Sequence, residues 1–194
     1  MKKFLSRIIY SLLLALGIVF ALQAEEIVGV NIDEVITVSS GGEELRLRGA
    51  AVKTSARQAI YIGGLYLQED LSNAKEIIAS NGAKRFFIYS KDSTIKPDAL
   101  IRALNLGFTV NHDEDELIKL ESKIKQFNLI WRSQIKAGDK VWVDYLPGKG
   151  TSVLVNGVEK GLITGKGFYS AFLKTWIGDK PLNQEMKKQL LGDE

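Results

Sequence analysis

The chain is expected to fold as a single α+β domain: a mainly antiparallel sheet with helices on one face. Three observations predict it. Short β-like segments cluster early and again late, with helical patterns between and after them rather than in strict alternation. Gly41-Gly42 and Asn156-Gly157 each stand between two such segments, as tight hairpin turns require. No internal repeat, low-complexity stretch or long linker divides the chain.

Taken in order, Ile27 to Val30, Glu34 to Val38 and Glu43 to Ala51 read as short strands. Leu45 and Leu47 alternate with Arg46 and Arg48, the period of a half-buried strand. Ala59 to Leu67 (AIYIGGLYL) is an almost continuous apolar run, expected to be buried on both faces. Its Gly63-Gly64 pair marks either a bulge or a close approach to the backbone. Ser72 or Asn73 can cap a helix over 74–80 that Asn81-Gly82 ends, and Arg85 to Tyr89 is the next strand.

The middle is helical. Pro97 and Asp98 suit a first helical turn, and Leu100, Ala103, Leu104, Gly107 and Phe108 follow at helical spacing. Asp113 to Trp131 is the clearest helix, with Leu117, Leu120, Ile124, Phe127 and Trp131 at alternating three and four. Three acids fill its first turn, and Glu121 and Lys125 form an i,i+4 pair. Strands are then expected over Lys140 to Tyr145, Ser152 to Val155 and Val158 to Ile163, with a turn at Pro147 to Gly150. A helix over Phe168 to Ile177 and a short one capped by Asn183 complete the pattern.

The N-terminus reads as a leader. Lys2, Lys3 and Arg7 precede an apolar run from Ile8 to Leu22, and small residues follow at Ala21 and Ala24. That order is a secretory signal peptide, too short for a spanning helix. Residues 1–24 are therefore assigned to the signal and 25–194 to the domain, with cleavage after Ala24 or after Ala21. The expected destination is the periplasm or the exterior, with no membrane span once the leader is removed. An uncleaved anchor is the alternative, whereas a lipid-modified terminus is excluded because the chain has no cysteine. No disulfide can staple the fold either. The chain carries 26 Lys+Arg against 23 Asp+Glu, and losing Lys2, Lys3 and Arg7 leaves a neutral mature protein. Neither a general basic field nor a basic stripe interleaved with aromatics is present, which argues against nucleic-acid binding.

Several chemistries are excluded by the residues. His112 is the one histidine, and no cysteine joins it, so no metal site or other cofactor is expected. The acids beside it suit a solvated helix start better than a cation cage. No G-x-S-x-G elbow supports a catalytic triad, and neither G-K-G at 148–150 nor that at 165–167 completes a phosphate loop. G-x-G-x-x-G is also absent.

Two positions carry candidate chemistry. Lys53 lies near the end of the third strand; if that strand pairs with the Ala59 to Leu67 strand, Lys53 and Tyr61 flank one cleft as a grip for an anion. The competing reading is a strand-end lysine in water. Thr175 shares a helical face with Phe168, Ala171 and Phe172 and so faces core or cleft, unless its hydroxyl bonds back to the carbonyl four residues earlier.

Four segments resemble the bacterial chalcone isomerase-like family: RGAAVK at 48–53, YIGGLYLQED at 61–70, the stretch at 136–163 beginning KAGDKVWVDYLPGKG, and FYSAFLKTWIGDKPLNQEMKKQLLG at 168–192. FNLIW at 127–131 adds to the likeness, which covers nearly all of the mature chain. The resemblance implies an open-faced β-sandwich, a large antiparallel sheet covered by a layer of α-helices, with a ligand cleft between them. Plant members of the wider fold cyclise a chalcone with a cleft arginine, threonine and tyrosine hydroxyls and an asparagine, and plastid members bind fatty acids with that arginine on the carboxylate. Carried over, the arginine falls on Lys53, the strand threonine on Tyr61, the helix tyrosine on Ala99, the helix asparagine on Asn105 and the C-terminal helix threonine on Thr175.

That set is incomplete for catalysis: the charge survives without the planar fork, and one hydroxyl is gone. The leading expectation is thus a non-catalytic exported protein holding a small amphipathic ligand, a fatty acid or an aromatic acid, through Lys53, Tyr61, Asn105 and Thr175. The alternatives are an isomerase (intramolecular lyase) of chalcone isomerase type on an unknown substrate, and an envelope scaffolding protein whose cleft is filled by Tyr61 and Trp176.

Overall fold

The computed structural model describes residues 24–38, 42–56, 58–91, 94–131 and 133–193. Apart from Ala24, the expected leader lies outside the described residues, as does Gly41 of the first hairpin turn.

Seven strands form one antiparallel sheet whose spatial order is the chain order, so each strand pairs with the one before it: β3 (Val35–Thr37), β4 (Glu44–Ser55), β5 (Gln58–Leu67), β6 (Lys84–Ser90), β7 (Lys140–Leu146), β8 (Gly150–Val155) and β9 (Val158–Thr164). Helices leave this meander at three places and return to one face of it. They are α1 (Ala74–Ala79) between β5 and β6, α2 (Pro97–Asn111) and α3 (Glu114–Ile130) between β6 and β7, and α4 (Lys166–Ile177) and α5 (Gln184–Leu190) after β9. This is the expected α+β arrangement.

Local chemistry explains the boundaries. The Asn73 side chain accepts the N–H groups of Lys75 and Glu76, starting α1. Asp113 and Glu116 form a reciprocal capping box at α3. Asn156 and Gly157, at φ 51° and 79°, turn β8 into β9. Both central residues of such a turn need positive φ, which asparagine and glycine tolerate best. The same geometry recurs where it was not expected. Val28 and Gly29 have φ 52° and 75°, so Ile27 to Val30 is not a strand but the tip of a hairpin between β1 (Ala24–Ile27) and β2 (Val30–Asp33).

The two faces of the large sheet bury different things. Towards the helices, Leu65, Phe86, Val143, Val153 and Ile163 meet Phe127, Phe168, Phe172 and Trp176. On the outward face, Leu45, Ile62, Tyr66 and Phe87 pack with Ile32 and Val38, with Ile27 and Val30 of the small hairpin against them. The Tyr66 hydroxyl donates to the Asp33 carbonyl at 2.9 Å, tying that hairpin down. As expected, β5 is buried on both sides.

Candidate functional site

The strands β4 and β5 run side by side in a register that places Lys53 directly opposite Tyr61. Opposed residues of an antiparallel pair share a face, and Tyr61 packs against the helix-side core. Both side chains therefore point to the helix-bearing side of the sheet. Lys53 is half-buried, and no described residue forms a hydrogen bond or ion pair with its ammonium. The Tyr61 hydroxyl meets only the Met186 sulfur of α5, at 3.9 Å. That is a weak acceptor, and burial holds the phenol well above its ordinary pKa.

The helices over these two residues come close to the strand. A Cβ on Gly63 would lie 3.4 Å from Met186 Cε and 3.6 Å from Phe86 Cζ. The register has no shift between Tyr61 and Leu65, so the glycine marks no bulge, and a methyl there would make ordinary van der Waals contacts. Trp176 stacks on Phe86 with centroids 4.4 Å apart, and its buried indole N–H has no partner. The Lys53 cation and the Tyr61 phenol thus lie side by side on the helix-facing side of β4 and β5, and the Trp176 indole lies over Phe86 on the same face. Apolar side chains of α4 and α5 pack against this face.

A family model described as chalcone isomerase-like matches residues 24–192. The chain belongs to the chalcone isomerase-like family. A crystal structure of a fatty-acid binding protein from Arabidopsis thaliana superposes with a TM-score of 0.61 at 13% identity, covering 81% of this chain and 96% of that one. At that identity the likeness concerns the fold. No curated protein matches the sequence.

Within this chalcone isomerase-like domain the other two candidate residues lie elsewhere. Asn105 on α2 accepts a hydrogen bond from Asn128 of α3 at 3.0 Å, linking two helices. Thr175 is fully buried and its hydroxyl donates to the Phe172 carbonyl at 2.7 Å, one residue nearer than the back-bond weighed from sequence. Its Cβ and methyl stand 2.7 and 2.9 Å from where a Cβ on Gly107 would be, so it seats α4 against α2. Ala99 is exposed in the first turn of α2. Hollows of about 570, 370, 100, 260 and 500 Å³ indent the surface of the described residues, and none of these is lined by Lys53, Tyr61, Asn105 or Thr175.

Sequence reasoning missed Met186 and Lys84. Met186 follows Asn183 at helical spacing, but only the docking of α5 on β4 and β5 brings it to Tyr61. Lys84 is buried at the start of β6, donates to the carbonyls of Ser80 and Gly82 at 2.8 and 3.0 Å, and lies over the Tyr145 ring. Burial lowers its pKa to about 8. Among the described residues no group of three or more His, Asp or Glu side chains could hold a metal, and no helix is long and apolar enough to cross a membrane.

Proposed function

We propose that this chain is an exported bacterial-type member of its family that binds a small amphipathic carboxylate, without catalysis, between sheet and helical layer. Lys53 neutralises the acid head, Tyr61 and the Trp176 N–H supply donors, and the apolar faces of α4 and α5 part around the tail. The observation that carries this reading is the partnerless, half-buried Lys53 ammonium opposite Tyr61 on the helix-covered face. A half-buried cation without a counter-charge can take up a carboxylate as its partner. The structural likeness to a fatty-acid binding protein supports the choice of a fatty acid.

The test is titration of delipidated protein with hexadecanoate. Lys53→Met is expected to weaken binding tenfold or more while leaving the unfolding midpoint almost unchanged. Equal affinity in the variant would remove the reading. Export is tested by N-terminal sequencing of protein recovered from the periplasmic fraction. Cleavage after Ala21 preserves the whole of β1, whose Ala24 pairs with Asp33.

A second reading has its own support. Met186 and Phe86 reach van der Waals distance of a Cβ at Gly63, so the seam is packed there as core is, which leaves an envelope interaction protein with a filled cleft. Recovery of protein that takes up no lipid or enone, from extracts or in titration, would favour it. Chalcone cyclisation lost in Lys53→Ala would instead favour an isomerase.

A further inference from the structure

One side chain of α5 covers Tyr61. Met186 is almost fully buried, with its sulfur 3.9 Å from the Tyr61 hydroxyl. Its Cε reaches 3.4 Å from where a Cβ on Gly63 would stand. Phe86 Cζ lies 3.6 Å from the same point, and the Phe86 ring stacks with Trp176. The thioether end of Met186 thus lies between the phenol and the stacked rings.

The backbone of α5 is fixed on both sides of this residue. Before the helix, the Leu182 N–H donates to the Thr175 carbonyl at 2.9 Å, and Lys187 Nζ donates to the Gly178 carbonyl at 2.8 Å. Those bonds tie the start of α5 to the end of α4. At the other end, a Cβ on Gly49 would stand 2.9 Å from both the Leu190 carbonyl oxygen and the Gly192 nitrogen, which puts α5 in backbone contact with β4. Leu190 and Leu191 are buried there. Between two such anchors the helix does not swing away as a body. The Met186 side chain is free of that restraint, because an unbranched thioether has three rotatable bonds and adapts to irregular space.

The hydroxyl gains from an exchange of partners. A thioether sulfur is a weak acceptor, and burial keeps the Tyr61 phenol protonated and therefore a donor. A carboxylate oxygen in place of the sulfur makes a charge-assisted bond with it, and Lys53 stands directly across the strand pair to meet the same head group. We propose that Met186 is the gate of the Lys53–Tyr61 site: its side chain closes the site in the free protein and turns aside when a carboxylate head replaces its sulfur on Tyr61. The gate rests on the carboxylate-binding function proposed above and names the residue that controls entry to it.

The experiment is stopped-flow mixing of delipidated protein with hexadecanoate, followed by tryptophan fluorescence, in the wild type, Met186→Ala and Met186→Leu. Alanine removes the gate, so affinity should rise at least fivefold, mostly through faster association. Leucine keeps the volume, which cores tolerate, but its shorter, branched chain cannot fold aside. Association should then slow at least threefold while the unfolding midpoint barely moves. A methionine that served only as packing would give the opposite result in alanine, equal or weaker binding by a loosened site. That result, with Lys53-dependent binding intact in the wild type, would overturn the gate and leave the carboxylate site standing. Should Met186→Ala fail to fold, an unchanged association rate in Met186→Leu overturns it instead. Uptake by Met186→Ala but not by the wild type, abolished on adding Lys53→Met, would support a gate that is shut in the free protein. Absence of binding in the wild type and in both variants would remove site and gate together.

Discussion

The outward and helix-covered faces of the sheet differ in how fully their polar groups are matched. On the outward face they are matched. Arg85 and Asp144, both almost fully buried, make two parallel bonds of 2.7 Å, and the guanidinium lies 4.7 Å from the centre of the Trp142 ring. Ser152 donates to Glu159 at 3.0 Å beside them. On the helix-covered face the Lys53 ammonium, the Trp176 N–H and the Thr151 hydroxyl lack partners, and Tyr61 has only a sulfur. A satisfied buried network rigidifies a fold, whereas an unsatisfied one is costly unless something else completes it. Under the proposed function the outward face is structural and the helix-side seam receives the ligand.

The largest effect that sharpens this contrast is expected on the outward face. Asp144→Ala strands the Arg85 guanidinium among apolar neighbours and should destabilise by about 3–5 kcal/mol, read by urea unfolding. A loss below about 1 kcal/mol, the scale of an exposed pair, would break the comparison. Next is the docking of α5. A Cβ on Gly49 would lie within 2.1 Å of the Gln189 carbonyl. Gly49→Ala should therefore cost about 1–3 kcal/mol through overpacking, and should also disturb the Tyr61–Met186 contact, visible as a change in tyrosine fluorescence.

Smaller effects come from the helix side. Lys84, unlike Lys53, has its carbonyl partners in place, yet burial lowers it to about 8 from an ordinary 10.5. The unfolded chain then binds that proton more tightly than the folded one, so this group makes stability rise between about pH 8 and pH 10.5. Thermal melts across that window should show the rise in the wild type and a flatter profile in Lys84→Met. Tyr61→Phe removes a desolvated hydroxyl whose one contact is weak, so its stability should change by no more than about 0.5–1 kcal/mol, the worth of an ordinary hydrogen bond. A larger loss in urea unfolding would mean that the hydroxyl is structurally engaged, contrary to the contrast between the faces.

Much of the fold was legible because its signals are local. Asn73, one of two candidates, and Asn183 cap the helices expected of them, and Asp113, read as a first helical residue, caps α3, since a cap needs only a side-chain oxygen within three residues of the N–H it accepts. The opposition of Lys53 and Tyr61 followed from pairing two adjacent strands. The hairpin at Val28-Gly29 was hidden because valine is an unusual residue at positive φ. Thr175 was placed on the correct buried face, but what it meets depends on Gly107, far away in sequence.

From its own residues the chain determined the mainly antiparallel sheet, the helix starts and the candidate cation at position 53, because turns, caps and hydrophobic periods act over a few residues. Only the tertiary structure decided that Met186 closes over Tyr61, that Asn111 clamps the chain after α4, and that Lys174 and His112 stand over a hollow. Those outcomes depend on how helices distant in sequence settle on one another and on the sheet, and such packing leaves no local period to read.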